Sequence, residues 1–286
     1  MSNTLLTIFI TVFNKDKFQL VDAINSCPKD ALVYVDIDGG WDCTPCRYEN
    51  LVYLLNHDLI KFRYNQENKG LAKLRNEEIE LCETKYMQFM DADDTLKSVD
   101  LGIMKSSISF DLMVSIVEFS NESGITDDNR NLYVGGSCPY TYFVIPSLIF
   151  KTEFLLSHTE LRFSTNVKVF EDVVFSVRLT LMEKKVRILN EPYYVYNYTD
   201  SGTNLTSSSN DDKKVVSTIT ILNDLSKLRS DYNEYQSLSW IKIYIRMQEE
   251  ANRLFSFKLT KYQIDEVTDL MKPHHFFKNK TKDNIK

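Results

Sequence analysis

Glycine and proline are scarce in this chain, with 8 and 6 residues among 286. Their scarcity argues against collagen-like, low-complexity and hairpin-rich all-β architectures. Cysteine is also sparse, and five cysteines, an odd number, do not make a disulfide framework in a chain of this length. The apolar run at residues 5–13 is too short to span a bilayer and follows no basic segment. We therefore expect a cytoplasmic protein without a membrane span.

Apolar residues are plentiful, at 43% of the chain, so a folded core is expected and global disorder is excluded. Acidic residues outnumber basic ones by 40 to 34, which argues against a nucleic-acid-binding protein. The charge is uneven, because residues 271–286 hold five lysines and one aspartate. This basic tail suits peripheral contact with an anionic membrane surface, and the alternative is a solvated chain end.

The first hundred residues alternate apolar strands with helical segments. Four apolar runs predict strands: residues 5–13, 31–37, 59–64 and 85–90. Three segments with helical spacing predict helices: residues 18–26, 47–56 and 70–81. This alternation predicts an α/β fold with a mainly parallel sheet flanked by helices. Ligands of such sheets bind beyond the carboxyl ends of the strands, where Asn14, Asp38 and residues 91–94 lie.

The second half of the chain has a looser pattern. Residues 110–119, 140–150 and 186–198 predict strands, and residues 172–182 predict a helix. A polar, turn-forming stretch then separates this part from a helical C-terminal region. The predicted organisation is a domain at 1–200, with halves at about 1–97 and 98–200, a linker or mobile loop at 201–212, and a helical extension at 213–286 that ends in the basic tail.

Two carboxylates follow the fourth predicted strand. Alternate side chains of an extended segment point the same way, so Asp91 and Asp93 are expected to project together past the sheet edge. Hard oxygen ligands of this kind suit Mg²⁺ or Mn²⁺, usually shared with a substrate phosphate. The alternative is that Asp93 or Asp94 caps a helix that starts near Ser98.

Four motifs occur in order at suitable spacing: Thr11-Val-Phe-Asn14, Asp38-Gly39, Asn68-Lys-Gly-Leu-Ala-Lys-Leu-Arg75-Asn76 and Asp91-Ala-Asp-Asp94. Together they resemble the glycosyltransferase family 2 patterns P-x-Y-N, D-D-G-S, N-x-G-(L)-x-x-A-R-N and D-x-D-D. The resemblance covers residues 5–96 well and continues more loosely to about residue 198. Four positions depart from the family patterns: Thr11 for proline, Phe13 for tyrosine, Ile37 for the first aspartate of the second motif, and Gly40 for its serine.

The resemblance implies a GT-A fold with a nucleotide-sugar site. The positions that match the family's site are Thr11, Phe13, Asn14, Asp38, Gly70, Arg75, Asp91 and Ala92. By the family's pattern, Phe13 and Asn14 flank the base, and Asp38 accepts a hydrogen bond from uracil or a similar base. Arg75 helps to hold the donor, and Asp91 faces the ribose. Asp93, with Asp91 beside it, is implied to bind the Mn²⁺ or Mg²⁺ ion that bridges the diphosphate.

Glu171 and Asp172 open a predicted helix and resemble the family's E-D motif, in which a carboxylate acts as general base. An inverting transfer needs such a base to take the proton of the acceptor hydroxyl. We predict Asp172 for this role, with Glu171 as its neighbour or substitute. The alternative is that acidic residues lie here because a helix N-terminus favours negative charge.

The sequence thus predicts an inverting, metal-assisted glycosyltransferase that uses a nucleotide-sugar, with a UDP-sugar favoured. The expected acceptor is a glycan or a lipid-linked molecule, in polysaccharide or glycoconjugate synthesis at the inner face of the cell membrane. Two alternatives stay open. A sugar-phosphate nucleotidyltransferase is disfavoured because no glycine-rich loop follows the first strand, and a catalytically inactive GT-A-like binding subunit remains open because the first two motifs are altered.

Overall fold

The computed structural model describes residues 4–39, 54–106, 109–121, 124–128 and 144–197, with a few residues between 214 and 224. The chain divides into two compact units, Met1–Thr165 with Glu171–Ser208, and Asn166–Phe170 with Ser209–Lys286. The predicted linker, nearly all of the helical extension, the basic tail and most of the predicted helix at 47–56 lie outside the described residues. No helix within the described ranges is long and apolar enough to cross a membrane.

Nine strands and four α-helices are defined among the described residues of the first unit. The strands are β1 (Leu6–Val12), β2 (Leu32–Asp38), β3 (Ile60–Asn65), β4 (Tyr86–Asp91), β5 (Thr95–Leu96), β6 (Leu112–Asn121), β7 (Gly124–Asp128), β8 (Leu148–Lys151) and β9 (Val186–Asn197). The helices are α1 (Lys17–Ser26), α2 (Leu71–Leu81), α3 (Thr152–Ser157) and α4 (Glu171–Leu181). Short 3₁₀ turns occur at Gly102–Lys105 and Ile145–Ser147.

All nine strands belong to one sheet in the order β3-β2-β1-β4-β8-β6-β9-β5, and β7 pairs with β6. The strands β3, β2, β1 and β4 are parallel to one another, as the alternating sequence predicts. Beyond β4 the sheet is mixed, because β8 runs antiparallel to both β4 and β6 while β6 and β9 are parallel. The α/β class is confirmed, with the parallel pairing concentrated in the first half.

The centre of the sheet is buried on both faces. Six of the seven β1 residues and five of the six β4 residues are buried, which fits the continuous apolar runs of strands covered on both sides. Helix α1 begins where the Asp16 carboxylate accepts a hydrogen bond from the backbone N–H of Phe18, at 2.8 Å. Its apolar stripe is buried in the core that it shares with β1 and β2: Leu20, Val21, Ala23 and Ile24.

Two sequence-based expectations need correction within the described residues. The predicted strand at 140–150 is, from residue 144 onward, a 3₁₀ turn followed by β8, because Pro146 lacks the N–H that a sheet ladder needs. No helix starts near Ser98, since Thr95 and Leu96 pair with β9 instead. Asp94 is therefore not a helix cap, and its carboxylate accepts hydrogen bonds from the Tyr194 hydroxyl and, at 2.8 Å, from the backbone N–H of Asn197.

Candidate functional site

A row of polar side chains crosses the carboxyl ends of the parallel strands. Thr11 on β1 lies opposite Asp36 on β2 and opposite Asp91 on β4. Asp36 in turn lies opposite Arg63 on β3. Residues at one register position of neighbouring strands share a face of the sheet, so these four side chains line up. Helix α2 supplies further charged groups to this face, as the next contacts show.

Arg75 on α2 joins two acidic positions that are far apart in sequence. Its Nη2 lies 3.0 Å from Asp91 Oδ1, and its Nη1 lies 3.0 Å from Glu171 Oε1 at the start of α4. The Arg75 side chain is only 4% exposed, so a buried cation is paired on both sides. The guanidinium carbon also lies 5.7 Å from the ring centre of Phe89 and 5.4 Å from that of Phe163, within cation–π range.

The burial and close contact of Arg75, Glu171 and Asp91 shift the pKa values of all three side chains. Burial alone would lower the pKa of Arg75, but the charges of Asp91 and Glu171 raise it overall. Burial raises the pKa of Glu171 to about 7, the charge of Asp172 acts in the same direction, and Arg75 opposes both. Burial also raises the pKa of Asp91, although Arg75 opposes the rise. A carboxyl group that titrates near neutral pH is suited to proton transfer.

Asp93 forms an ion pair with Lys15, a residue that sequence analysis did not identify as functional. The ammonium group of Lys15 contacts Asp93 Oδ2, and both side chains are largely buried. The chain turns between β1 and Lys15 at Asn14, whose φ of 50° lies in the left-handed region that few non-glycine residues adopt. The available signal was a lysine just beyond the carboxyl end of β1, next to the strand that precedes Asp91 and Asp93.

The residues present fit a divalent cation only with help from a substrate. Among the described residues, no cluster of three or more histidine, cysteine, aspartate or glutamate side chains is arranged to hold a metal ion. Mg²⁺ and Mn²⁺ often take one or two protein carboxylates and complete their coordination with phosphate oxygens and water. Asp93 already attracts a positive group, the Lys15 ammonium, so its carboxylate has the chemistry that a cation requires.

Asp38 fastens the loop before α2 to the end of β2. Its Oδ1 accepts a hydrogen bond from the backbone N–H of Lys69 at 2.7 Å, and its Oδ2 accepts one from Gly70 at 3.0 Å. Burial raises the pKa of Asp38, and these two hydrogen bonds oppose the rise. Gly70 has φ +84° and Gly39 has φ +70°, conformations that favour glycine. Asp38, which is buried, therefore holds the loop before α2 in place.

The remaining predicted site residues have distinct environments. Phe13 is 38% exposed just beyond β1, where a planar ligand could stack on it. Ala92 is buried in the core and presents little side-chain surface to a ligand. Thr11 donates its hydroxyl to Glu78 on α2, at 3.1 Å. Asp172 follows Glu171 in the first turn of α4. Gly40, where the family has serine, lies outside the described residues.

Residues 8–149, which include the donor-side motifs, match the family described as glycosyl transferase family 2. The chain carries a family 2 glycosyltransferase domain. Over 257 residues it is 23% identical to a cholesterol galactosyltransferase of Borreliella burgdorferi, covering 82% of this chain and 70% of the relative. Over 203 residues it is 26% identical to a teichoic acid poly(glycerol phosphate) polymerase of Staphylococcus epidermidis, covering 66% of this chain and only 28% of the polymerase.

Solved structures resemble the fold of the family 2 domain. S. aureus TarS residues 1–349 in complex with UDP-GlcNAc align with a TM-score of 0.68 at 18% identity, covering 94% of this chain and 80% of TarS. The mannosyltransferase PcManGT from Pyrobaculum calidifontis, in complex with GDP-Man and Mn²⁺, aligns with a TM-score of 0.55 at 13% identity, covering 95% and 81%. At these identities the likeness concerns the GT-A fold alone.

Proposed function

We propose that this chain transfers a sugar from a UDP-sugar to an acceptor hydroxyl with inversion, assisted by Mn²⁺ or Mg²⁺. The observation that carries the proposal is the buried Arg75, which ties the donor-side Asp91 to Glu171 at the start of α4. This tie brings the two halves of the predicted site to one place. The proposed setting is polysaccharide or glycoconjugate synthesis, with a glycan or lipid-linked acceptor.

The donor would lie across the carboxyl ends of β1, β2 and β4. Phe13 would stack on the base, Asp38 would accept a hydrogen bond from it, and Asp91 would face the ribose. The leaving nucleoside diphosphate gains negative charge as the sugar departs. A divalent cation held by Asp93 stabilises that charge when bound. Lys15, which lies on the same carboxylate, is placed to move onto a phosphate oxygen and add to this stabilisation.

The transfer step needs a base on the acceptor side. In the proposed reaction Asp172 takes the proton of the acceptor hydroxyl while that oxygen bonds to the anomeric carbon. The bond from the anomeric carbon to the diphosphate oxygen breaks on the opposite face, which inverts the configuration. Glu171, held by Arg75, orients the start of α4 and keeps the base near the donor. TarS in complex with UDP-GlcNAc supports the choice of a uridine donor by analogy of fold.

The test is to incubate the protein with a panel of nucleotide-sugars, with and without Mn²⁺, and to measure release of the nucleoside diphosphate. We expect Asp172→Asn to bind donor normally but to lose transfer by about 100-fold or more, the usual size of a general-base contribution. Asp93→Ala should instead weaken donor binding itself. Asp30→Asn is the matched control. Asp30 is an exposed carboxylate at the amino end of β2, whereas the proposed site lies at the carboxyl ends of the strands.

A uridine donor that binds and turns over only with a divalent cation would support the metal-assisted use of a UDP-sugar. Binding of a donor without any turnover would favour the catalytically inactive binding subunit. If no nucleotide-sugar binds under any metal condition, the transferase function is refuted. If both variants transfer like the parent protein, the assignment of Asp93 and Asp172 is refuted.

A further inference from the structure

Glu78 is a fully buried carboxyl group that the proposed reaction does not use. It lies on α2 and accepts the hydroxyl of Thr11 on its Oε1, at 3.1 Å. Its other oxygen, Oε2, is buried and makes no hydrogen bond to the residues that the structure describes. An ionised carboxylate in such a place would lose much of its hydration without full compensation. The position therefore favours a neutral carboxylic acid.

The polar and charged groups that act on Glu78 come from three strands and from its own helix. Asp36 on β2 is the acid whose charge acts on Glu78. It is already paired with Arg63 on β3, whose Nε lies 3.0 Å from Asp36 Oδ1, and with the Asn65 amide at 2.6 Å. From β1 the facing group is the Thr11 hydroxyl. These contacts leave Arg63 committed to Asp36 and unavailable as a full counter-charge for Glu78.

Arg75 is a buried cation on the same helix, one turn before Glu78. Residues three positions apart are neighbours on a helix surface. The two ion pairs that Arg75 forms, however, go to Asp91 and Glu171. Burial, together with the charge of Asp36, raises the pKa of Glu78 to about 8, although Arg75, Thr11 and Arg63 oppose the rise. At neutral pH Glu78 is therefore uncharged and does not compete with Asp91 and Glu171 for the Arg75 guanidinium.

We propose that Glu78 is a positioning residue whose neutral form leaves Arg75 free to hold Asp91 and Glu171 together. When Glu78 ionises, its new negative charge attracts the guanidinium and weakens that tie. The inference rests on the proposed function, because the tie matters only if Asp91 and the start of α4 serve one reaction. The inference also assigns a role to Thr11, whose hydroxyl donates a hydrogen bond to Glu78 and holds it in place. The proline of the family pattern has no such hydroxyl.

The test compares the parent protein with Glu78→Gln, which keeps the size of the side chain and stays neutral at every pH. Glu80→Gln is the matched control, since Glu80 lies on the same helix with its side chain mostly exposed. We expect kcat of the parent to fall about tenfold between about pH 7 and pH 9, as one ionisation with a midpoint near 8 requires. Glu78→Gln should keep its rate over that range, and Glu80→Gln should follow the parent.

A second readout does not need transfer. Between the unfolded pKa of about 4.5 and the folded pKa of about 8, native Glu78 holds a proton that the unfolded chain has released. The free energy of unfolding must therefore fall as pH rises through this window, and Glu78→Gln should remove this part of the fall. Denaturant unfolding at several pH values measures it for the parent and both variants.

Three outcomes would overturn the inference. One is a folded Glu78→Gln protein that is inactive at every pH, because the charge would then be needed. The second is a Glu78→Gln protein with the same alkaline loss of kcat as the parent, and the third is an unchanged pH dependence of unfolding. If no variant transfers at any pH, the proposed function fails and the positioning role falls with it. The unfolding comparison distinguishes that failure from a wrong protonation state.

Discussion

Arg75 shows how one buried side chain links positions that the sequence separates by many residues. Its planar guanidinium directs separate N–H groups at Asp91 and Glu171 while its face lies against two aromatic rings. A lysine ammonium has the same charge but neither the fork geometry nor the flat face. Position 75 therefore requires the shape of an arginine side chain as well as its positive charge.

We expect Arg75→Lys to lower both stability and transfer. Breaking a buried ion pair costs about 3–5 kcal/mol when a carboxylate is left unpaired, and a retained ammonium should reduce that loss to about 2 kcal/mol. Denaturant unfolding and steady-state kinetics measure the two effects, with a fall in kcat of about 100-fold expected from misplaced groups. Arg187→Lys, at a half-buried position on β9, is the control. A parent-like stability of Arg75→Lys would contradict the role of the fork.

The loop before α2 depends on two close approaches of backbone. A side-chain Cβ at Gly39 would lie 2.5 Å from the backbone N of Asn68 and 2.5 Å from the carbonyl carbon of Glu67. Gly70 has a similar positive φ, but a Cβ there would meet nothing within 4 Å. Both glycines are thus conformationally required, and only Gly39 is also required by contact.

This contrast predicts different costs for two alanine substitutions. Gly70→Ala should destabilise the protein by about 1 kcal/mol, through backbone strain alone. Gly39→Ala should cost about 2 kcal/mol or more, because the clash with fixed backbone adds to the strain. It should also weaken donor binding by displacing the loop that Asp38 holds. Urea unfolding of the two variants measures the difference, and equal costs would show that the close approach at Gly39 carries no energy.

The elements that sequence analysis predicted best are those with a local signal. The apolar runs of β1 to β4 and the helical spacing of α1 and α2 are properties of neighbouring residues, and the structure confirms them. The failures involve partners that are distant in sequence. The pairing of Thr95 and Leu96 with β9 excludes the alternative of a helix near Ser98. The contact of Lys15 with Asp93 joins residues 78 positions apart, which no local pattern encodes.

The whole molecule has an acidic balance, with a net charge of −6, yet the proposed donor is itself an anion. In the proposed reaction Asp91 and Asp93 would face the diphosphate, so like charges would meet at the site. Arg75 and Lys15 offset part of this repulsion, and a divalent cation would offset the rest. Donor and cation should therefore bind cooperatively, each increasing the affinity for the other by the same factor.

Thermal unfolding with ligand present tests this coupling on the whole protein. A ligand at about 100 times its Kd stabilises the folded state by about 2.7 kcal/mol. For a chain of 286 residues that energy should raise Tm by about 4–5 °C. We expect UDP with Mn²⁺ to give a shift of this size, and either ligand alone to give less than half of it. Asp93→Asn should remove the Mn²⁺-dependent part, while Asp30→Asn should keep it. An equal shift with UDP in the presence of a chelator would contradict the cation's role at Asp93, because the acidic site would then accept the diphosphate through Lys15 and Arg75 alone.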